Sequence, residues 1–146
     1  MATILTIPAA GSEASSSAVI TNEEKQLKLS YRCEEMRPIF SIINPKLYYT
    51  LPKHQIANGV CDMMVHIMER YFTNTKNTQL IDGLAESTLK TIMRNALVLK
   101  EDNTNYEAWS EILLLELLHI MAFLVLVEKR TGHLIRLNMN LVQFMM

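Results

Sequence analysis

The chain has 146 residues, enough for one domain with a real core and too few for two full ones. Lys and Arg total 14 against 15 Asp and Glu, a net charge of −1. No basic surplus exists to neutralise phosphates, which argues against a nucleic-acid partner. Cys33 and Cys61 form no CxxC pair and read as reduced thiols of a cytoplasmic protein. The N-terminus has no basic residue before its apolar stretch, so it does not read as a secretory signal.

In chain order, residues 3–7 alternate Ile and Leu with Thr and predict a strand. No earlier segment is there to pair with it, which suggests a chain that begins inside a sheet. Residues 8–17, PAAGSEASSS, are small, polar and flexible, a loop. Strand character returns at 18–21, a turn follows at 22–25, and 27–31 reads as the second arm of a hairpin. Residues 40–43 make a further short strand, stopped by Asn44-Pro45.

Pro52 suits the first turn of a helix, and from there the period changes. Ile56, Val60, Met63, Ile67 and Tyr71 form one apolar stripe, predicting a single helix over 55–72. A second helix over 80–99 carries Leu84, Leu89, Ile92, Met93 and Leu97. A third is expected to start at Asn105, which can cap it. Its segment 112–127 is apolar except for Glu116 and His119. A membrane span needs roughly 20 apolar residues and tolerates a central Glu poorly, so a core helix is the better reading. The predicted fold class is mixed α and β, helix-dominated, with a short β-rich N-terminal segment followed by α-helices.

Asp62 and His66 stand four apart on the predicted helix and share a face, with Asn58 and Glu69 extending the polar stripe. A carboxylate and an imidazole at this spacing can give one metal an oxygen and a nitrogen ligand. Solvated surface neighbours show the same spacing, and two ligands leave a site incomplete. The backbone N–H groups of the Gly11-Ser12-Glu13 loop could approach a phosphate, or the loop could be a plain linker. No GxGxxG fingerprint, P-loop or GxSxG elbow occurs. The ten Met residues read as core filling.

Three segments in register carry a resemblance. TIPAAGSEASSSAVITNEE at 6–24, FSIINPKLYYTLPKHQIANG at 40–59 and GVCDMMVHIMERYF at 59–72 resemble the iron-containing (group III) alcohol dehydrogenase family, butanol-dehydrogenase type. The likeness spans about the first 110 residues. It implies that 1–50 is the end of a dinucleotide-binding α/β domain and 51–112 the start of an all-helical metal-binding domain. It implies that Asp62 and His66 are two of four ligands to Fe²⁺ or Zn²⁺. Gly11, Ser12 and Lys28 would lie against NAD or NADP, and the substrate would be a small primary alcohol or aldehyde. Ala10 stands where the family has Thr, so the resemblance implies a loop without that hydroxyl contact to the cofactor.

After Ile112 the likeness stops, and residues 113–146 read as an out-of-frame apolar tail. With codons read one frame over, Met121-Ala122 must give Gly, Met139-Asn140 Glu and Met145-Met146 Asp. The other codons permit the family's continuation, LAHNGFFxLGREEDWASHKIEHEFSAIYD, from Leu117 onward. A one-base frameshift near codons 112–116 is therefore expected. In the restored frame the third ligand His would span Leu134 and Ile135, and a second active-site His would span Asn138 and Met139. His119 and His133 do not substitute for them.

The expected function is a fragment of a metal-dependent, NAD(P)-linked alcohol dehydrogenase, inactive as this chain. Two alternatives stand beside it: a small helical interaction or scaffold protein, and a membrane-associated peptide using 112–127. Helices deprived of later partners are also expected to leave a contiguous apolar patch exposed.

Overall fold

The computed structural model describes residues 1–74 and 76–127. The N-terminal strand β1, Ala2–Ile4, does find a partner, but a later one: β4, Phe40–Ile42, lies parallel to it with Thr3 opposite Ser41. Their hydroxyls meet across the pair at 2.7 Å. Between them, β2 (Ser17–Asn22) and β3 (Leu27–Arg32) form the expected antiparallel hairpin. Its turn is closed by Lys25 N–H donating to Asn22 Oδ1 and by Gln26 at φ 50°, a left-handed conformation that releases the chain into β3. The loop before the hairpin is tied down along its length. The Cys33 N–H donates to Ser16 O at 2.9 Å, Ser41 Oγ to Glu13 O at 2.6 Å, and the Arg37 guanidinium to Ala14 O.

Three helices follow: α1 (Lys53–Tyr71), α2 (Gln79–Glu101) and α3 (Tyr106–Val127). Pro52 stands at the N-cap of α1, just before the first turn expected for it, and Lys53 Nζ donates to Lys100 O at the C-terminus of α2. That contact sets a cation against carbonyls left without helical partners. The predicted stripe of α1 turns inward: Ile56, Met63 and Ile67 are buried, with Val60 and Tyr71 packed beside them. On α2 the buried line is Ala85, Ile92 and Leu99, spaced by seven and so on one side of the helix. Leu84, Met93 and Leu97, assigned from sequence to its apolar stripe, are exposed. They lie off that line, where none of the described core covers them.

Asn105 caps α3 as expected, its Oδ1 accepting from Ala108 N–H at 2.9 Å. Asn105→Ala should destabilise the chain by roughly 1 kcal/mol in urea denaturation; no change would mean the cap carries nothing. Trp109, Ile112 and Leu113 of α3 are buried against the turn Pro45–Tyr48 and α2. Among the described residues, no helix is long and apolar enough to cross a membrane. Glu116, the acid inside the apolar run, sits in the core with a polar partner, described below. The shifted-frame histidine positions and His133 lie outside the described residues. Much apolar surface is uncovered here, including Ile20, Leu29 and Tyr31 on the hairpin and Ile39 and Phe40 near β4.

Candidate metal-binding helix and its loop

The polar face of α1 places Asp62 and His66 one turn apart, because residues four apart in a helix stack on the same side. Asp62 Oδ2 is 3.8 Å from His66 Nε2, and both side chains are about one-fifth exposed, at 21% and 20%. The other ring nitrogen, Nδ1, faces Glu69 Oε2 at 4.0 Å. Glu69 is buried, and its Oε1 has no hydrogen-bond partner. The imidazole thus has a carboxylate beside each of its ring nitrogens, at 3.8 and 4.0 Å. Asn58 is exposed on the same helix. Among the described residues, no group of three or more His, Cys, Asp or Glu stands together as a complete metal cage. The pair therefore fits as part of a ligand set, one oxygen and one nitrogen donor.

The loop over 8–16 packs directly onto this helix. At Gly59, three residues before Asp62, an added Cβ would stand 2.2 Å from the Pro8 carbonyl oxygen. Only a residue without a side chain lets the loop backbone come so close. Gly11 lies at φ 69°, and Gly11 O accepts from Ala14 N–H at 3.1 Å, closing a tight turn. Ser12 is exposed at its crest, and Lys28 is exposed on β3, paired with Thr21.

The N–H of Gly11 is not free to meet a phosphate. It donates to Glu116 Oε1 at 3.1 Å, and Ala9 N–H donates to the same oxygen at 2.8 Å. Glu116 is 1% exposed. Burial first, and then the nearby Glu13 carboxylate, push its pKa up to about 8, against the pull of the two N–H donors. A carboxyl with a native pKa of about 8 and an ordinary value of 4.5 takes up a proton on folding. Its contribution is therefore complete below about 4.5 and is lost as pH rises through about 8. Urea midpoints should fall between those pH values more steeply in the parent chain than in Glu116→Gln, and equal slopes would count against the assignment.

Local spacing did not reveal the close approach at Gly59 or the tie from Glu116 to the loop, and Glu13 was read only for its backbone N–H. Two signals were present. A glycine inside a helix costs about 1 kcal/mol relative to Ala and often marks a close approach, and a lone acid within an apolar run must find a partner.

The profile described as "Fe-containing alcohol dehydrogenase family, C-terminal" matches residues 56–133, which include the whole of α1 after its first turn and run past Ile112. The chain belongs to this family. The NADH-dependent butanol dehydrogenase A of Clostridium acetobutylicum is 37% identical over 130 residues, 89% of this chain and 33% of that protein. The NADPH-dependent aldehyde reductase YqhD of Escherichia coli is 33% identical over 113 residues, 77% of this chain and 29% of that protein. In the crystal structure of the NADH-dependent butanol dehydrogenase A of Thermotoga maritima, the fold matches with a TM-score of 0.78 at 33% identity. That match covers 90% of this chain and 32% of the other. The chain thus spans about a third of the length of the curated relatives it matches. The helix-dominated fold with a β-rich start agrees with the fragment expected from sequence.

Proposed function

We propose that this chain carries the first metal ligands and a cofactor-side loop of an NAD(P)-linked dehydrogenase that interconverts small alcohols and aldehydes. The observation that carries the reading is the Asp62–His66 pair, one turn apart on α1 and 3.8 Å from each other. It lies inside the segment matched by the family profile, and relatives named for NADH or NADPH and for butanol or aldehyde support the substrate and cofactor classes. Asp62 and His66 would hold Fe²⁺ or Zn²⁺. Such a metal supplies Lewis acidity toward an alcohol or aldehyde oxygen. Asp62 would bring negative charge to the site, and Glu69, 4.0 Å from Nδ1, would favour the ring orientation that leaves Nε2 on the Asp62 side. The Gly11-Ser12 crest and Lys28 are proposed to face NAD or NADP. Ser12 and Lys28 have the exposure this needs, whereas the engaged Gly11 N–H leaves that residue a shaping role.

By itself the chain is proposed to lack turnover, because a catalytic site of this kind takes at least three protein ligands and the described residues bring two together. Residues 1–50, 51–112 and 113–146 are proposed as the cofactor-domain end, the metal-domain start and an out-of-frame tail, and the coding DNA tests the last of these directly. The functional test is Co²⁺ titration followed by visible absorption. Binding should weaken by about 10-fold or more in both Asp62→Ala and His66→Ala. Unchanged spectra in both variants would remove the metal assignment. NAD(P)H oxidation with butyraldehyde should stay at background, and turnover abolished by Asp62→Ala would refute the inactive reading.

A further inference from the structure

The loop over 8–16 is held through its backbone by side chains from three other parts of the chain. Glu116 of α3 takes the first half, its Oε1 accepting from Ala9 N–H at 2.8 Å and from Gly11 N–H at 3.1 Å. On the second half, Ser41 of β4 donates through Oγ to Glu13 O at 2.6 Å. The Arg37 guanidinium donates to Ala14 O and, at 3.4 Å, to Ser16 Oγ. Below the first half lies α1, where the missing side chain of Gly59 leaves room for the Pro8 carbonyl.

These ties differ in what replaces them when they are broken. The Arg37 side chain is 45% exposed, so water can take over its partners. Glu116 is 1% exposed and comes from more than a hundred residues away. Two N–H groups two residues apart reach one oxygen only where the chain curves, and Gly11 at φ 69° belongs to that curve. Without the Glu116 oxygen the two donors are left unpaired, or the loop lifts until they meet water. Lifting draws Pro8 off Gly59, one turn of α1 before Asp62. The side chains of Asp62 and His66 are themselves only about one-fifth exposed, and the Asp62 charge is felt at Glu116.

We propose that Glu116 is a positioning residue, which by holding Ala9 and Gly11 seats the 8–16 loop on α1 and so limits water at the Asp62–His66 pair. The inference rests on the reading of that pair as metal ligands. An ion there is bound more tightly where fewer waters compete and the surroundings are less polar. Glu116 acts on it through the loop and not by contact. What the seat requires is the acceptor oxygen at the end of a side chain of this length, so an amide of the same length should serve.

The test is Co²⁺ titration of the full chain by visible absorption, with amide hydrogen exchange measured on the same proteins. In Glu116→Ala, the Ala9 and Gly11 amides should exchange about 10-fold faster or more, and Co²⁺ affinity should fall by about 10-fold or more. Glu116→Gln should restore both. Arg37→Ala, which releases only the second half of the loop, should leave both close to the parent. Gly59→Ala combined with Glu116→Ala should lose less Co²⁺ affinity than the two single losses multiplied, because both unseat one loop. The proposal is overturned if Co²⁺ affinity holds in Glu116→Ala while exchange rises, or if the two amides stay protected there. It is overturned equally if Glu116→Gln loses Co²⁺ as alanine does, if Arg37→Ala loses as much, or if the combined losses multiply. Should Glu116→Ala fail to fold, Glu116→Asp decides: one methylene shorter with its charge kept, it should reproduce both losses, and parent-like values would overturn the proposal. A parent chain that takes up no Co²⁺ at Asp62 and His66 refutes the metal reading and the proposal together, whereas Co²⁺ binding indifferent to Glu116→Ala refutes the proposal alone.

Discussion

Trp109→Ala is expected to destabilise the chain by about 3–5 kcal/mol, the range for deleting a buried aromatic side chain. Trp109 is fully buried, its ring lies 5.2 Å from Tyr48, and its Nε1 donates to Asn103 O at 2.8 Å. Asn103 in turn donates through Nδ2 to Tyr49 O at 3.0 Å. One side chain thereby joins α3, the α2–α3 connection and the turn before α1. Against a typical domain stability of roughly 5–15 kcal/mol, the loss should abolish or sharply broaden a cooperative melt. Trp109 is the sole tryptophan, so the melt is followed by far-UV circular dichroism and not by fluorescence. Trp109→Phe keeps a ring and loses the hydrogen bond, and should fall between the two. A cost under about 1 kcal/mol for Trp109→Ala would show that this junction does not organise the core.

The second large effect is at Gly59. Alanine is the better helix former by about 1 kcal/mol, so substitution inside an exposed helix face should stabilise. Gly83 on α2 meets that description, since a Cβ there has nothing within 4 Å, and Gly83→Ala should gain roughly 0.5–1 kcal/mol. At Gly59 the same methyl would meet the Pro8 carbonyl oxygen at 2.2 Å, a backbone atom that no rotamer change can move aside. Gly59→Ala should therefore cost about 1–3 kcal/mol or more, the usual range for overpacking. It should also shift the loop that carries Gly11 and Ser12 away from Asp62. Urea denaturation of both variants gives the comparison, and two stabilising substitutions would mean that the loop does not sit on α1. A Co²⁺ affinity that falls in Gly59→Ala while helicity is retained would tie the loop position to the Asp62–His66 pair.

Exposed apolar side chains bear on any such measurement. Leu80, Leu97 and Phe72 on the helical part and Ile20, Leu29 and Phe40 on the β-rich part are open to solvent, whereas Ile56, Met63 and Ile67 of the α1 stripe are buried. Surface of this kind favours association, so denaturation should be compared at several protein concentrations.

The sequence by itself determined what depends on neighbours a few residues apart. The 3.6-residue period marked α1, Asn105 and Pro52 marked helix starts, and the Asn22 turn marked the hairpin. The common face of Asp62 and His66 followed from their spacing alone, and the motif resemblance carried the family. Tertiary structure decided everything that joins distant segments. It paired β1 with β4, set α2 to bury Ala85, Ile92 and Leu99 and not Leu84 and Leu97, laid Pro8 on Gly59, and brought Glu116 to Ala9 and Gly11 across more than a hundred residues. The reason is physical. Spacing along a helix or strand fixes which side chains share a face, because backbone geometry is local. Which face meets which is chosen by the burial and hydrogen bonding of the whole chain, where a glycine without a side chain or a carboxylate seeking donors acquires its meaning only from what arrives beside it.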